Sequence, residues 1–135
     1  MVLVDTNIIF TLLVRSTPLY AAACALHEQD SDWRVESHGL VELTNVLSRY
    51  VRAKFLNSVE AMTILTIAES RLGHRIISVA NSDALNMALT RKISAYDARF
   101  LCASKLLGVP LITENVKLRK SAPDLCSSLA DALAT

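Results

Sequence analysis

Carboxylate and amide side chains occur in this sequence where apolar runs end or helical patterns begin. Asp5 directly follows the apolar run Val2-Leu3-Val4, and the pair Glu114-Asn115 follows a later apolar run. Glu42 and Asp97 fall in the opening turns of two helical stretches. If the apolar runs are strands of a parallel sheet, their carboxyl ends share one edge, where ligands commonly bind. We therefore expect these side chains to meet at that edge.

Such a cluster of carboxylates predicts a divalent cation. Several negative charges in one place repel one another unless they are protonated or bridged by cations. Hard oxygen ligands suit Mg²⁺ or Mn²⁺, which are often shared with the phosphates of a substrate. An ion of this kind lowers the pKa of bound water and neutralises charge at a phosphodiester under attack. The sequence therefore indicates metal-assisted phosphate chemistry.

Each of these acids also has an ordinary structural interpretation. Asp5 is a favourable N-cap for the helix that follows it. Glu42 is an acid near a helix N-terminus, where it interacts favourably with the helix dipole. Ser94 and Asp97 have the spacing of a capping box. A structural and a chemical role can coexist in the same side chain.

The elements that must position these acids alternate along the chain. Short apolar runs over 2–4, 33–36, 75–79 and 109–113 are typical of buried strands, and helical patterns separate them. Ser37, Asn57 and Asp124 are expected to cap three of the helices. The repetition predicts an α/β/α sandwich with a mostly parallel sheet of four or five strands.

Composition limits the class of protein. A chain of 135 residues with 52% hydrophobic residues is expected to form a single domain over 1–135. Its 14 basic and 13 acidic residues give a net charge of +1, so bulk charge does not indicate a nucleic-acid partner. No membrane span or basic leader is visible, which favours a cytoplasmic protein. Three cysteines and three histidines lie apart from one another, which indicates structural roles and no zinc site.

The ordered set of motifs resembles one family over nearly the whole chain. The motifs are Val-Asp5-Thr-Asn7 at the N-terminus, a helical Glu42, Tyr-Asp97-Ala opening a helix, and Leu-Ile-Thr113-Glu-Asn115 after a strand. Together they are similar to the PIN domain, and within that family to the VapC-type toxins of toxin-antitoxin pairs. The resemblance implies a ribonuclease that depends on Mg²⁺ or Mn²⁺.

The resemblance also assigns roles to particular residues. Asp5, Glu42 and Asp97 match the catalytic acids, with Asp5 and Asp97 holding metal directly and Glu42 through water. Asn7 and Thr113 match polar neighbours of the metal ligands. The fourth family acid falls on Asn115, which keeps an oxygen ligand but loses a charge and so implies weaker metal binding. Glu114 replaces that acid only if the turn directs its side chain inward.

Partners follow from the same resemblance. It implies an RNA substrate, an antitoxin protein that blocks the acidic site, and a homodimer. Lys117, Arg119 and Lys120 lie just beyond the last predicted strand and are the candidate contacts to RNA phosphates. The alternative to an enzyme is a degenerate PIN domain that binds RNA or protein without catalysis. Asn115 favours this alternative, and the presence of all three other acids favours the enzyme.

Two other phosphate-related classes fit the sequence less well. A phosphatase of the haloacid-dehalogenase kind needs a second Asp where this chain has Asn7. A response-regulator receiver needs adjacent acids after the first strand and a Lys after the last one. Thr6 and Glu114-Asn115 occupy those places.

Overall fold

A five-stranded parallel sheet lies at the centre of the computed structural model, which describes residues 1–135. The strands are β1 (Val2–Val4), β2 (Trp33–Glu36), β3 (Ile76–Ile77), β4 (Leu111–Ile112) and β5 (Cys126–Ser127). The helices are α1 (Thr6–Leu13), α2 (Tyr20–Gln29), α3 (His38–Arg52), α4 (Ser58–Leu72), α5 (Asn81–Arg91), α6 (Ala95–Leu107), α7 (Val116–Ser121) and α8 (Leu129–Ala134). The predicted α/β fold with a parallel sheet is confirmed.

The order of the strands places β1 in the middle of the sheet. The order is β3-β2-β1-β4-β5, and all four pairings are parallel. The chain moves outward through β2 and β3 on one side of β1 and then crosses to β4 on the other. The gap between α1 and the segment after β4 is therefore the switch point at which α/β sheets commonly bind ligands. Asp5 and Thr113 stand at this point, since Val4 pairs in register with Ile112.

Both faces of the sheet are covered, which explains why its central strands are continuously apolar. One core cluster contains Val4, Val35 and Ile112 together with side chains of α1 to α4 and α8. The other contains Leu3 and Leu111 together with side chains of α5, α6 and α7. Burial of side chains on both faces fixes the strands and hence the residues at their carboxyl ends.

The outer strands differ from the sequence prediction. The strand predicted over 75–79 is reduced to Ile76–Ile77, and the one predicted over 109–113 to Leu111–Ile112. The two-residue strand β5 was not among the segments predicted. It is too short to show alternation, and its residues are only half-buried. Its pairing with β4 is therefore a consequence of tertiary structure.

Of the three helix caps predicted at Ser37, Asn57 and Asp124, only Asn57 makes the expected capping bond. Ser37 makes no capping bond, and the Glu36 carboxylate accepts from the backbone N–H of His38 instead, at 2.7 Å. Ser128 rather than Asp124 caps the last helix, and Asp124 pairs with Arg91. The capping box of Asn57 with Glu60 on α4 is present. None of the helices is both long enough and apolar enough to cross a membrane.

Candidate active site

Asp5 is fixed at the end of β1 by three hydrogen bonds. Its Oδ1 accepts from the backbone N–H of Thr6 at 2.7 Å, so Asp5 does cap α1. Its Oδ2 accepts from the hydroxyl of Thr113 at 2.7 Å and from the amide of Asn7 at 3.2 Å. Asp5 is only 6% exposed. The carboxylate is thus both a helix cap and a preorganised group at the edge of the sheet.

Asn7 and Thr113 connect α1 with the segment after β4. The Asn7 amide also donates to the Thr113 hydroxyl, and its Oδ1 accepts from the backbone N–H of Glu114 at 3.1 Å. The Thr113 hydroxyl accepts in addition from the backbone N–H of Asn115 at 3.0 Å. Thr113 is fully buried. These two residues hold the turn after β4 against Asp5.

Glu42 reaches the same place from the second turn of α3. The start of α3 lies close to β2, because Gly39 has no Cβ, which would lie 2.4 Å from Cγ2 of Val35. The Thr6 hydroxyl lies 3.1 Å from both the Gly39 carbonyl and Oε2 of Glu42, to which it can donate. Thr6 therefore joins α1 to α3 and orients Glu42 beside Asp5.

Asp97 contributes from the first turn of α6. The Ser94 hydroxyl caps this helix by accepting from the backbone N–H of Asp97 at 3.0 Å. The reciprocal bond of a capping box is absent, and the Asp97 carboxylate accepts no hydrogen bond in the structure. The capping interpretation therefore applies to Ser94 and leaves the carboxylate of Asp97 available.

These acids line one open cleft of about 500 Å³ at the switch point. Besides Asp5, Glu42 and Asp97, its polar lining includes Asn7, Glu114 and Asn115. Burial raises the pKa of Asp5 above its ordinary value, and the hydrogen bond from Thr113 opposes this increase. Burial and then the negative charge of Asp5 raise the pKa of Glu42. The structure thus brings together the three acids expected from the sequence and makes their mutual repulsion appreciable.

The donor set of the cleft fits a hard divalent cation in its chemistry. Its candidate ligands are all carboxylate or amide oxygens, which Mg²⁺ and Mn²⁺ prefer. Burial is the main cause of the raised pKa values of Asp5 and Glu42, and a cation would offset the smaller contribution of repulsion between the acids. In the present arrangement, however, no three His, Cys, Asp or Glu side chains converge closely enough to hold one ion. An ion here would be held by one or two carboxylates with water in its other positions, as is usual for Mg²⁺.

The turn after β4 uses both of its polar residues structurally. Oδ1 of Asn115 accepts from the backbone N–H of Leu118 at 3.1 Å and caps α7. The Glu114 carboxylate accepts from the backbone N–H of Leu129 at 2.8 Å and lies 3.4 Å from Nη1 of Arg119. Glu114 is therefore anchored towards α8 and Arg119, although it borders the cleft. Asn115 has no carboxylate, and the carboxylate of Glu114 is already bound to Leu129 and Arg119. The position of the fourth family acid therefore lacks a free carboxylate.

The three basic residues of α7 differ in their surroundings. The guanidinium of Arg119 donates to the Thr113 carbonyl at 2.8 Å and is only partly exposed. Lys117 and Lys120 are exposed and make no side-chain hydrogen bond. A role of these residues in RNA binding stays a prediction, and Arg119 has an evident structural role beside it.

Two features of the site region were not predicted from the sequence. The fully buried carboxylate of Glu36 forms an ion pair with Arg99 at 2.9 Å, which connects the end of β2 to the helix that carries Asp97. Arg49 lines the cleft from α3, two turns beyond Glu42. Arg49 is two helical turns beyond Glu42, and this spacing could have indicated from the sequence that both side chains lie on the same side of α3. Nothing in the sequence paired Glu36 with Arg99.

Glu42→Gln is expected to make stability less dependent on pH. The folded protein holds the pKa of Glu42 above its ordinary 4.5, so ionisation favours the unfolded chain. The stability that Glu42 contributes is fully present below that ordinary value and is lost as the pH rises through the raised pKa. Wild-type protein should therefore lose more stability than the variant as the pH rises above 4.5. Urea denaturation across this range measures the difference.

The control for this experiment is Glu69→Gln, which alters an exposed acid of α4. This variant should follow the pH profile of the wild type. Parallel profiles for the wild type and Glu42→Gln would contradict the prediction.

The fold and the site together define an α/β protein with an acid-lined cleft at the switch point of a parallel sheet. The sequence profile of the PIN domain matches residues 2–122. The chain belongs to the PIN domain family.

Solved structures with the same fold cover almost the whole chain. PAE2754 from Pyrobaculum aerophilum is 16% identical with a TM-score of 0.78, covering 98% of this chain and 91% of that one. VapBC2 from Rickettsia felis, bound to a DNA fragment from its promoter, is 20% identical with a TM-score of 0.68 and coverages of 95% and 98%. A toxin-antitoxin complex from Klebsiella pneumoniae is 21% identical with a TM-score of 0.66, covering 94% of this chain and 97% of that one. No curated protein sequence matches the chain significantly. At these identities the likeness shows the fold.

Proposed function

We propose that this protein is a metal-dependent endoribonuclease and the toxin of a toxin-antitoxin pair. The observation that carries the proposal is that Asp5, Glu42 and Asp97, from three different elements, line one cleft at the switch point. Membership of the PIN domain family supports a nuclease, and the structural likeness to chains of toxin-antitoxin complexes supports the toxin role.

The proposed cofactor is Mg²⁺ or Mn²⁺. Asp5 and Asp97 would hold the ion, Asn115 would contribute an amide oxygen weakly, and Glu42 would act through water. When bound, such an ion supplies charge neutralisation at the phosphodiester and lowers the pKa of the attacking water.

The residues of the chain itself prepare the cleft for hydrolysis. Thr113, Asn7 and the backbone of Thr6 fix the Asp5 carboxylate before substrate arrives, which avoids reorganisation during the reaction. The Thr6 hydroxyl can donate to Oε2 of Glu42, and Oε1 lies 3.8 Å from Nε2 of His38, so the carboxylate that would take a proton from water is oriented from both sides. The raised pKa of Glu42 brings this carboxylate closer to the range of an effective general base.

The direct test is cleavage of a mixed RNA panel, including structured tRNA, in Mg²⁺ or Mn²⁺ and in chelator. We expect products only where the metal is present. Absence of cleavage by well-folded, partner-free protein in both metals would favour the second candidate, a PIN domain that binds RNA or protein without catalysis. Asn115 supports that candidate, since its only oxygen caps α7.

Asn115→Asp is expected to raise the cleavage rate at limiting Mg²⁺. Aspartate caps a helix as well as asparagine does, so α7 should be retained. The added charge should strengthen metal binding on the order of tenfold, because ligand charge tunes affinity for hard cations. Cleavage rates across a Mg²⁺ titration measure the effect.

Asn57→Asp makes the same chemical change at the N-cap of α4, away from the cleft, and serves as the control. It should leave the Mg²⁺ dependence unchanged. An equal response of the two variants would show that Asn115 does not limit metal binding.

The partners are part of the same proposal. A short neighbouring gene for a DNA-binding antitoxin would support the toxin role. Light scattering of the purified chain tests the proposed homodimer, for which a mass of twice 14.8 kDa is expected.

A further inference from the structure

Arg49 and Tyr50 lie where the acid-lined cleft joins a second cavity. This neighbouring cavity has about 540 Å³ and is lined mainly by the end of α3 and the segment between α1 and α2. Four residues line both spaces, namely Thr17, Pro18, Arg49 and Tyr50. We propose that Arg49 and Tyr50 form a nucleotide subsite for single-stranded RNA, with a phosphate on the Arg49 guanidinium and a base on the Tyr50 ring. This inference takes its substrate class from the proposed function.

The subsite and the acids lie on one face of α3. Glu42, Val46, Arg49 and Tyr50 all line the cleft and are spaced at helical periodicity. Arg49 is seven positions beyond Glu42, which corresponds to about 10 Å along the helix axis. Arg49 is therefore placed to hold a phosphate next to the one at the acids, which fixes the strand along the cleft.

Arg49 differs from the other arginines near the site by having no partner. It is the only cationic side chain that lines the acid cleft, and it forms no ion pair or side-chain hydrogen bond. Arg52, one turn further along, donates to Ser48, and Arg119 is bound to Glu114 and the Thr113 carbonyl. An exposed guanidinium with free donors suits bidentate recognition of a phosphate. It also places one positive charge where a polyanion must approach several carboxylates.

Tyr50 provides a supported aromatic surface beside that charge. Its ring packs against Phe10 with a centroid distance of 4.6 Å and against Phe55 at 6.0 Å. The residue nevertheless remains 37% exposed. Stacking of a base on an exposed aromatic ring tolerates any sequence and contributes to binding of single strands. A ring held by its neighbours loses little conformational freedom when a base stacks on it.

The test measures binding separately from cleavage. A fluorescein-labelled 12-nucleotide RNA of mixed sequence is titrated in chelator and in Ca²⁺, with anisotropy read at several KCl concentrations. Arg49→Ala should weaken binding roughly tenfold, as expected for loss of one charged hydrogen-bonded contact. The slope of log affinity against log salt should fall by about 0.7, the value for one phosphate of a single strand. Arg49→Lys should keep most of the slope and recover part of the affinity.

The matched control is Arg52→Ala, which removes the same charge from the same helix outside the cleft. It should change neither affinity nor slope appreciably. For the aromatic part, Tyr50→Phe should bind as the wild type does, whereas Tyr50→Leu should bind several-fold more weakly, since only the former retains stacking.

Two results would overturn the subsite. One is a salt slope for Arg49→Ala equal to that of Arg52→Ala, and the other is absence of RNA binding by the wild type in both chelator and Ca²⁺. Failure of the proposed function would give a different result. Wild-type protein would then bind the RNA but would not cleave it with Mg²⁺ or Mn²⁺. In that case the subsite stands as part of an RNA-binding module.

Discussion

Asp97→Asn is expected to reduce metal-dependent RNA cleavage by about 10³-fold, corresponding to the several kcal/mol that a metal site contributes to a transition state. The carboxylate lines the cleft and accepts no hydrogen bond, so its charge is available to an ion. The fold should be unaffected, because Ser94 caps α6 through the backbone N–H of residue 97, which Asn retains. Single-turnover cleavage and thermal denaturation of the same preparation measure both effects.

Asp83→Asn is the matched control for this variant. Asp83 lies in the first turn of α5, as Asp97 does in α6, but it borders a different cavity. Its substitution should leave cleavage unchanged. If Asp97→Asn cleaved RNA as fast as the wild type, Asp97 would not be a catalytic acid and the activity would need another source.

Arg99→Ala is expected to destabilise the protein by about 3–5 kcal/mol, the usual cost of removing one partner of a buried ion pair. The Glu36 carboxylate is fully buried, and Arg99 provides its only cationic partner at 2.9 Å. The guanidinium also donates to Oδ1 of exposed Asn81 and to the carbonyl of buried Val79, so its loss removes the partners of two buried groups, Glu36 and Val79. The effect should appear as a lower urea midpoint at pH 7.

Two further variants identify the cause of this loss. Glu36→Gln/Arg99→Met should recover part of the stability, because no uncompensated buried charge remains. Arg91→Ala breaks the exposed pair with Asp124 and should shift the midpoint far less, since exposed pairs contribute little. A loss for Arg99→Ala no larger than that for Arg91→Ala would show that the buried pair is not important for stability.

The same ion pair has a consequence for the cleft. Arg99 follows Asp97 by two residues on α6 and attaches this helix to the end of β2. The start of α3, which carries Glu42, continues directly from β2. Glu36 and Arg99 therefore fix the relative position of two of the three acids without lining the cleft themselves.

The central strands, most of the helices and the three acids could be predicted from the sequence alone. These follow from local rules: Val2-Leu3-Val4 is apolar and short, Asn57 caps its own helix, and an acid after a strand must lie at a sheet edge. The parallel arrangement followed from the alternation of strands and helices. The family resemblance then assigned Asn7, Thr113 and Asn115 to the surroundings of these acids.

How these groups are used became visible only in the tertiary structure. It showed that Asp5 caps α1 and lines the cleft at once, whereas Ser94 leaves the Asp97 carboxylate free. It directed Glu114 towards α8 and added β5, whose pairing with β4 has no local signal. It also joined Glu36 to Arg99 across 63 residues. Helix caps and periodicity act between neighbours in the chain, whereas ion pairs and cleft walls depend on distances that are set only by packing.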